Sequence, residues 1–364
     1  MSAPARLPQP GKRVVVAMSG GVDSSVAAAL LVEQGYEVVG VTMHLAGEAS
    51  RCCSLDDAED ARRVAESLGI RFYVANYTRE FRREVMEAFA DEYLAGRTPI
   101  PCVACNQRFK FRHLLERARA LGACAVASGH YARVEWDPAS QRHRLRAAID
   151  PAKDQSYFLF DLDQDQLAWT RFPLGAMRKD EVRGHARRLG LATAEKPDSQ
   201  EICFVPDGDY ASVVEKLRPE ASAGAGEVVD ASGRVLGWHR GVHRFTVGQR
   251  RGLGIASAER LFVVGLDAAK RHVVVGRADD LVAHHATLKG VTWVAGAPPA
   301  DPCRATVRVR YRHEGAAAEV RLTDENGAVV QFEEGVRAVA PGQAAVFYHG
   351  DIVLGGGWIA GAQR

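Results

Sequence analysis

The chain has 364 residues, of which 47% are hydrophobic and 25% are charged, and its formal net charge is +2. This length exceeds one average domain, so we expect two or three domains with sizeable cores. No apolar run approaches the ~18 residues of a membrane helix, and residues 1–13 lack a secretory signal, so we expect a cytoplasmic protein without a membrane partner. The small net charge excludes a uniformly basic nucleic-acid binder, and any basic surface must be local.

The first informative segment is Ser19-Gly-Gly-Val-Asp23. The apolar run Val14–Ala17 before it predicts a strand, and Ser24–Gln34 after it has the spacing of a helix that Gly35 ends. Paired glycines let the backbone approach an anion, and a helix start offers unpaired N–H groups at its positive end. The segment therefore predicts a phosphate-binding loop, although it has neither the Walker lysine nor the dinucleotide G-x-G-x-x-G pattern.

Strand-like and helical segments alternate from Arg13 to about Val205, which predicts a parallel sheet with helices on both faces. The predicted strands are Val14–Ala17, Val38–His44, Arg71–Ala75 and Ala125–Ser128, and the predicted helices are Ser24–Gln34, Asp56–Leu68, Thr78–Ala95 and Phe109–Leu121. Later turn signals, at Asp230–Gly233, Asp267–Lys270 and Asp324–Gly327, predict two small, mainly β modules, of which the last is barrel-like. We place the domains at residues 13–207, 208–276 and 277–364.

The seven cysteines are Cys52, Cys53, Cys102, Cys105, Cys124, Cys203 and Cys303. An odd number in a chain without an export signal disfavours a disulfide framework and favours metal or redox chemistry. Cys102 and Cys105 form a C-x-x-C pair in a proline-bounded loop, which is half of a zinc or iron–sulfur site or a redox pair, and Cys203 is a possible third ligand. Cys124 and Cys303 are predicted to be structural, and no role is assigned to the adjacent pair at 52 and 53.

Arginine alternates with apolar residues between Arg304 and Arg312. In a strand, Arg308, Arg310 and Arg312 would share one face, which suits contact with a phosphate backbone. The loop Gln249-Arg-Arg-Gly252 is a second local basic feature.

Several motifs occur in one order along the chain. They are the loop Ser19–Asp23, Pro101-Cys-Val-Ala-Cys-Asn106, Ser128-Gly-His-Tyr131, Lys153-Asp-Gln-Ser-Tyr157, Asp198–Phe204, Phe245–Gly254 and Pro341–Tyr348. The ordered set resembles the bacterial tRNA-specific 2-thiouridylase family from about residue 13 to the C-terminus. The resemblance implies a PP-loop catalytic domain of the adenine nucleotide α hydrolase-like class. The activity it implies is replacement of the 2-oxygen of the wobble uridine of tRNA by sulfur, while ATP is split to AMP and pyrophosphate.

The resemblance also implies site residues and partners. Cys203 is expected to carry sulfur as a persulfide, and Cys105 to act as the nucleophile that releases it and leaves a disulfide. ATP, with Mg²⁺ beside Asp23, is expected at Ala17, Met18, Ser19, Gly20, Gly21, Val22, Asp23, Ser24, Met43 and Gly129. Contacts with tRNA are expected at Ile100, Pro101, Cys102, His130, Lys153, Asp154, Gln155, Arg310, Tyr311 and Gln343. A sulfur-donor protein, either a cysteine desulfurase or a persulfide relay, is the further expected partner.

The chain departs from the family pattern at two positions and leaves alternatives open. Members often have Asn at the position of Ile100, and some have Asp at the position of Cys102. The set Cys102, Cys105 and Cys203 could instead hold an iron–sulfur cluster with one open iron, although we favour the persulfide route. Two alternative functions are those of another ATP pyrophosphatase, such as a GMP, NAD or argininosuccinate synthetase, and of a non-catalytic RNA- or metal-binding protein.

Overall fold

The computed structural model describes residues 11–46, 55–198, 202–205, 208–323 and 326–363. The helices are α1 (Val22–Glu33), α2 (Leu55–Ser67), α3 (Thr78–Phe81), α4 (Glu87–Leu94), α5 (Pro101–Ala104), α6 (Leu114–Ala120), α7 (Gln164–Trp169), α8 (Lys179–Arg188) and α9 (Tyr210–Leu217). The π-helical segments Arg82–Met86 and Cys105–His113 join α3 to α4 and α5 to α6. None of these helices is long and apolar enough to cross a membrane.

The strands form three sheets. They are β1 (Arg13–Ala17), β2 (Glu37–His44), β3 (Arg71–Asn76), β4 (Ala125–Ser128), β5 (Ala132–Asp137), β6 (Arg142–Ala147), β7 (Thr170–Arg171), β8 (Gly226–Val229), β9 (Val235–His239), β10 (Phe262–Asp267), β11 (His272–Gly276), β12 (Val282–Trp293), β13 (Cys303–Arg308), β14 (Ala316–Thr323), β15 (Gly327–Arg337), β16 (Ala344–His349) and β17 (Ile352–Gln363).

The N-terminal sheet is parallel, with the strand order β3-β2-β1-β4-β7. Its central strand β1 is covered on both faces, because Val15 packs into one apolar cluster and Val14 and Val16 pack into another. A strand buried on both faces reads as a continuous apolar run, which is why β1 and β2 stand out in the sequence. The prediction of a parallel α/β sheet is confirmed.

The C-terminal strands form the two β modules that the turn signals predict. Strands β8–β11 make a four-stranded sheet in the order β10-β11-β8-β9. Strands β12 to β17 close into a six-stranded barrel, because β12 pairs with both β15 and β17. The barrel-like prediction is therefore confirmed, and the hairpin turns at 230–233 and 267–270 connect the expected strands. Part of the third turn, at residues 324–325, lies outside the described residues.

A hairpin of the N-terminal region extends the barrel sheet. Strands β5 and β6 pair with each other, and β6 pairs with β17 through Arg146 opposite Ile352 and Leu145 opposite Val353. Asp351 accepts hydrogen bonds from Arg133 and Arg146 at this seam. The barrel is thus joined to the α/β region by strand pairing, which the sequence analysis did not predict.

The structure corrects the loop that was predicted around the two neighbouring cysteines. Helix α5 begins at Pro101, so Cys102 and Cys105 lie on a helix, three positions apart and on one face. Proline is favoured in the first turn of a helix, since its missing N–H has no partner there and its φ is already helical. The prediction of a loop at Pro101 was therefore wrong, because this proline begins a helix.

The predicted arginine face is also wrong. Strand β13 ends at Arg308, and the chain then turns, with the His313 N–H donating to the Arg310 carbonyl at 3.0 Å. Arg308, Arg310 and Arg312 therefore do not line one strand. The alternating pattern reflects instead the burial of Val307 and Val309, which lie in the barrel core.

Gly342 marks a second close contact between the barrel and the α/β region. Its φ is +90°, and a Cβ added there would stand 2.8 Å from the backbone nitrogen of Thr98. The Thr98 N–H donates to the Pro341 carbonyl at 2.8 Å, and the Gln343 amide donates to the Thr98 carbonyl at 2.9 Å. This contact holds the segment that leads into α5.

We expect Gly342→Ala to lower stability more than the matched control Gly233→Ala. Gly233 has a φ of +88° but open space around an added Cβ among the described atoms. The control therefore carries only the left-handed strain of about 1–2 kcal/mol, whereas Gly342→Ala adds crowding worth roughly 1–3 kcal/mol. Thermal unfolding midpoints measure the difference, and equal losses would show that the Thr98 contact does not restrain the barrel.

Candidate active site

The loop between β1 and α1 is pressed against the start of α2. Gly20 has a φ of +70°, and a Cβ there would stand 2.1 Å from the Asp57 carbonyl oxygen, so only glycine fits. The Met18 N–H donates to the Val41 carbonyl at 2.9 Å, which ties the loop to β2. The backbone of the loop is therefore held at the carboxyl end of the parallel sheet, where α/β folds bind their ligands.

Serine side chains organise the same loop from inside. The Ser24 hydroxyl accepts from the Ser19 N–H at 3.1 Å, and the Ser24 and Ser25 hydroxyls donate to the Gly21 carbonyl at 3.2 and 2.8 Å. Gly21 is the N-cap of α1 and has no side chain that could satisfy the first-turn N–H groups. These N–H groups and the positive end of the helix suit an anion such as phosphate.

Gly129 lies directly on the start of α1. A Cβ at this position would stand 2.6 Å from the Ser24 nitrogen and 2.7 Å from the Asp23 carbonyl carbon. The structure thus brings Gly129 and the loop from Ala17 to Ser24 together, as the expected nucleotide site requires. Met18 and Met43 are buried in the apolar clusters on the two faces of the sheet.

A charged network surrounds Asp23, and the sequence analysis missed most of it. The Lys179 ammonium donates to both carboxylate oxygens of Asp23, at 2.7 and 2.9 Å, and the Tyr131 hydroxyl donates to Asp23 at 2.8 Å. Burial, and then the neighbouring charge of Asp23, raise the pKa of Tyr131. One signal could have identified Lys179: it opens α8, where the helix dipole disfavours a cation.

Asp198 continues this network from the other side. It pairs with Lys153 at 2.6 Å, Lys179 at 2.8 Å and Arg183 at 3.0 Å. Burial alone would raise the pKa of Asp198, but hydrogen bonds from Lys153 and Lys179 outweigh it and lower the pKa to about 2. Asp198 is therefore a carboxylate at any working pH.

His130 and Asp154, two of the expected tRNA contacts, are buried. The His130 ring nitrogens lie 2.7 Å from the Ser128 hydroxyl and 3.4 Å from the Lys110 ammonium. Burial, with a smaller effect of the Lys110 charge, holds the pKa of His130 well below its usual value, so the ring is neutral. Asp154 is 5% exposed and accepts from the Ala148 and Ser156 N–H groups at 3.1 Å.

Arg308 belongs to the surroundings of Asp154 rather than to an open basic surface. It donates to Asp154 at 2.8 Å, and its guanidinium lies 4.4 Å from the centre of the Tyr348 ring. Arg310, by contrast, is exposed and donates to the Arg337 carbonyl at 3.1 Å. Of the two arginines, Arg310 is the one whose charge faces solvent.

The remaining expected contacts are partly buried and distributed over two regions. Gln155 accepts from the Tyr131 N–H at 3.0 Å, beside the Asp23 network. Ile100 and Tyr311 pack at the edge of one apolar cluster, where the Tyr311 and Phe158 ring centres are 4.4 Å apart. Pro101 is buried at the start of α5, and the Cys102 side chain beside it is half-buried.

Cys105 and Cys203 come from distant segments but pack against the same apolar cluster. Phe81 connects the two segments, because its ring centre lies 5.4 Å from that of Phe109 and 5.8 Å from that of Phe204. Both side chains are half-buried. Cys303 is buried at the start of β13 and Cys124 is half-buried, which agrees with structural roles, whereas Cys52 and Cys53 lie outside the described residues.

The fold and site are those of an α/β nucleotide-binding domain with an anion loop after its first strand. Residues 12–207 match the family model described as the tRNA methyl transferase HUP domain, 213–277 its PRC-barrel domain and 283–359 the aminomethyltransferase β-barrel domain. The chain is 55% identical to a tRNA-specific 2-thiouridylase MnmA of Geobacter metallireducens over 96% of this chain and 97% of the relative. It is 52% identical to the protein of that name from Solibacter usitatus, over 96% of this chain and all of the relative. The chain belongs to the tRNA-specific 2-thiouridylase family.

Proposed function

We propose that this chain catalyses the ATP-dependent 2-thiolation of the wobble uridine of tRNA in the cytoplasm. The observation that carries the proposal is the combination, in one α/β region, of an anion loop with Asp23 and two cysteines at one aromatic cluster. The names of the full-length relatives support it. Methyl transfer, which the description of the matched N-terminal model suggests, would need neither the loop nor the cysteine pair.

The first step activates an oxygen that is otherwise a poor leaving group. The 2-oxygen of uracil attacks the α-phosphorus of ATP, the bond to the β-phosphate oxygen breaks, and pyrophosphate leaves. The loop from Ser19 to Ser24 and the start of α1 would stabilise the charge that develops on pyrophosphate. Asp23, with its two carboxylate oxygens at the loop, has the hard-oxygen chemistry that suits Mg²⁺. That cation, when bound, neutralises phosphate charge.

The second step delivers sulfur. Cys203 would carry it as a persulfide received from a donor protein, a cysteine desulfurase or a persulfide relay. The Cys105 thiolate attacks the Cys203 sulfur, a Cys105–Cys203 disulfide forms, and hydrosulfide leaves with its electron pair. Hydrosulfide then adds to C2 of the activated uridine and AMP departs. A thiol reductant must afterwards reduce the disulfide for the next turnover.

The alternative, an iron–sulfur cluster, does not fit the described conformation. Across the parts of the chain that the structure describes, no three His, Cys, Asp or Glu side chains are grouped as a metal ion would require. Cys102, Cys105 and Cys203 therefore do not form a three-thiolate set there. We therefore assign sulfur transfer to Cys105 and Cys203.

The proposed tRNA contacts are the expected set, with Arg310 as the phosphate contact that is best exposed. Base entry would take place beside Ile100, Pro101 and Cys102, since a stacked base hides its 2-oxygen and must leave the stack. Lys153, Gln155 and Gln343 remain proposed contacts. Asp154 and His130, being buried, would act on tRNA through the side chains around them.

Asp23→Asn tests the activation step. We expect tRNA-dependent pyrophosphate release to fall at least about 100-fold, which is the effect of removing one strong electrostatic contact to a transition state. The control Glu33→Gln lies at the other end of α1, in an exposed ion pair with Arg188, and should change nothing. Pyrophosphate release is measured with and without unmodified tRNA. Release by the wild type that needs no tRNA would refute the proposed function.

Cysteine variants test the sulfur step separately. Cys105→Ser and Cys203→Ser should abolish thiolation, while Cys203→Ser still releases pyrophosphate in the presence of tRNA. Cys102→Ser should keep much of the thiolation activity, and Cys124→Ser, the control, all of it. Thiolated tRNA is quantified by mass spectrometry, and iron by elemental analysis. If Cys102→Ser lost both bound iron and activity, the cluster route would replace the assignment of Cys105 as nucleophile.

Arg308 and Arg310 form a matched pair for the tRNA surface. Arg310→Ala should weaken tRNA binding and reduce the slope of log affinity against log salt by about one. Arg308→Ala should instead lower the unfolding free energy by roughly 1–3 kcal/mol, because it leaves the buried Asp154 without its charged partner. Binding titrations at several salt concentrations and thermal unfolding separate the two effects. An unchanged salt slope in Arg310→Ala would mean that this arginine is merely solvated.

A further inference from the structure

Lys110 lies on the same π-helical segment as Cys105. The segment Cys105–His113 is bonded in the π pattern, and the Leu114 N–H that follows it donates to the Phe109 carbonyl. Residues five positions apart in such a helix lie on nearly one face, whereas in an α-helix they point to different sides. Lys110 comes five positions after Cys105, so the π conformation brings its side chain to the face of the helix that carries the cysteine.

The direction of the Lys110 side chain follows from its neighbours. Phe109 and Phe111 are buried in two different apolar clusters, and Lys110 is half-buried between them. Its ammonium lies 3.4 Å from Nε2 of His130. His130 comes two residues after the end of β4 and directly after Gly129, which lies on the first turn of α1. Lys110 therefore brings an ammonium group to the carboxyl end of the parallel sheet, beside the proposed nucleotide site.

His130 holds this ammonium without neutralising it. An ammonium group only donates, so Nε2 of His130 accepts, and the ring proton is assigned to Nδ1, which lies 2.7 Å from the Ser128 hydroxyl. Burial, and then the Lys110 charge, lower the pKa of His130, so the ring is uncharged. The rings of Phe111 and Phe172 pack against it, with centres 5.9 and 5.8 Å from its own. The imidazole is thus a buried acceptor that orients Lys110.

We propose that Lys110 is a catalytic residue that donates to the α-phosphate of ATP in the activation step, an inference that rests on the proposed function. In that reaction the anion loop holds pyrophosphate, and sulfur arrives from the side of Cys105. The α-phosphorus is joined first to pyrophosphate and then to the uridine oxygen that sulfur replaces, so it lies between these two places. Lys110 is connected to both, through His130 and Gly129 to the loop and through its own helix to Cys105.

The ammonium acts through its charge and forms no covalent bond. The uridine 2-oxygen gives an electron pair to the α-phosphorus, and the pair that bound the β-phosphate oxygen leaves with pyrophosphate. The negative oxygens of the α-phosphate repel the incoming electron pair, and a cation that is already oriented on them lowers this repulsion without reorganisation. Lys110 keeps its proton throughout. The same charge lowers the repulsion between the adenylate and the hydrosulfide that attacks it in the second step.

Calorimetric titration with AMP, adenosine and pyrophosphate separates the α-phosphate from the rest of the nucleotide. Lys110→Gln removes the charge but keeps an N–H donor for His130. We expect it to weaken AMP binding about tenfold, the effect of losing a hydrogen bond between charged groups, and to leave the affinities for adenosine and pyrophosphate unchanged. Lys110→Arg should restore most of the loss. The matched control is Arg108→Gln, at an exposed residue of the same segment that donates to the Glu84 carbonyl, and it should bind all three probes as the wild type does.

A wild-type titration keeps the proposal falsifiable if Lys110→Gln does not fold. Sulfamoyladenosine carries a neutral group in place of the α-phosphate and should bind about tenfold more weakly than AMP. Equal affinities for these two probes, or an unchanged AMP affinity in Lys110→Gln, would overturn the role of Lys110 and leave the proposed function intact. An equal loss of affinity for all three probes would show a structural role and would overturn it as well. A wild type that binds neither AMP nor pyrophosphate would instead refute the proposed function.

Discussion

The candidate active site depends on two places where backbone segments lie so close together that a Cβ atom would not fit between them. Gly20 meets the Asp57 carbonyl of α2, and Gly129 meets the first turn of α1. Each contact requires glycine for a steric reason, and in Gly20 the left-handed φ adds a second reason. Because both contacts converge on the loop from Ser19 to Ser24, the protein's own backbone fixes the position of the loop. Electrostatic stabilisation of a leaving group is effective when the donors need no reorganisation during the reaction.

The strand pairing between β6 and β17 sets the second constraint. It places the barrel beside the α/β region, and the contact of Gly342 with Thr98 repeats the attachment at the segment before α5. Helix α5 carries Cys102 and leads directly into Cys105. The barrel therefore supports the backbone that carries Cys105, the proposed nucleophile.

The sequence was sufficient for the elements whose signal is local. Strand β1 and helix α1 were predicted within two residues, because an apolar run, two glycines and an alanine-rich helix are all short-range patterns. Two features were missed because they depend on long-range contacts: the pairing of the β5–β6 hairpin with β17, and the bridge from Asp23 through Lys179 to Asp198. No spacing rule connects Asp23 to Lys179. The prediction of an arginine face after β13 failed for a different reason, because alternation alone does not show where a strand ends.

The two halves of the proposed reaction are supported by different kinds of structure. The proposed nucleotide site is built on the ends of parallel strands and the start of a helix, and close backbone contacts at Gly20 and Gly129 hold it. The sulfur site is built on side chains around Phe81, where Cys105 follows a helix and Cys203 lies in a connecting segment. The proposed sulfur transfer therefore depends on how side chains pack, whereas the proposed release of pyrophosphate depends on backbone geometry.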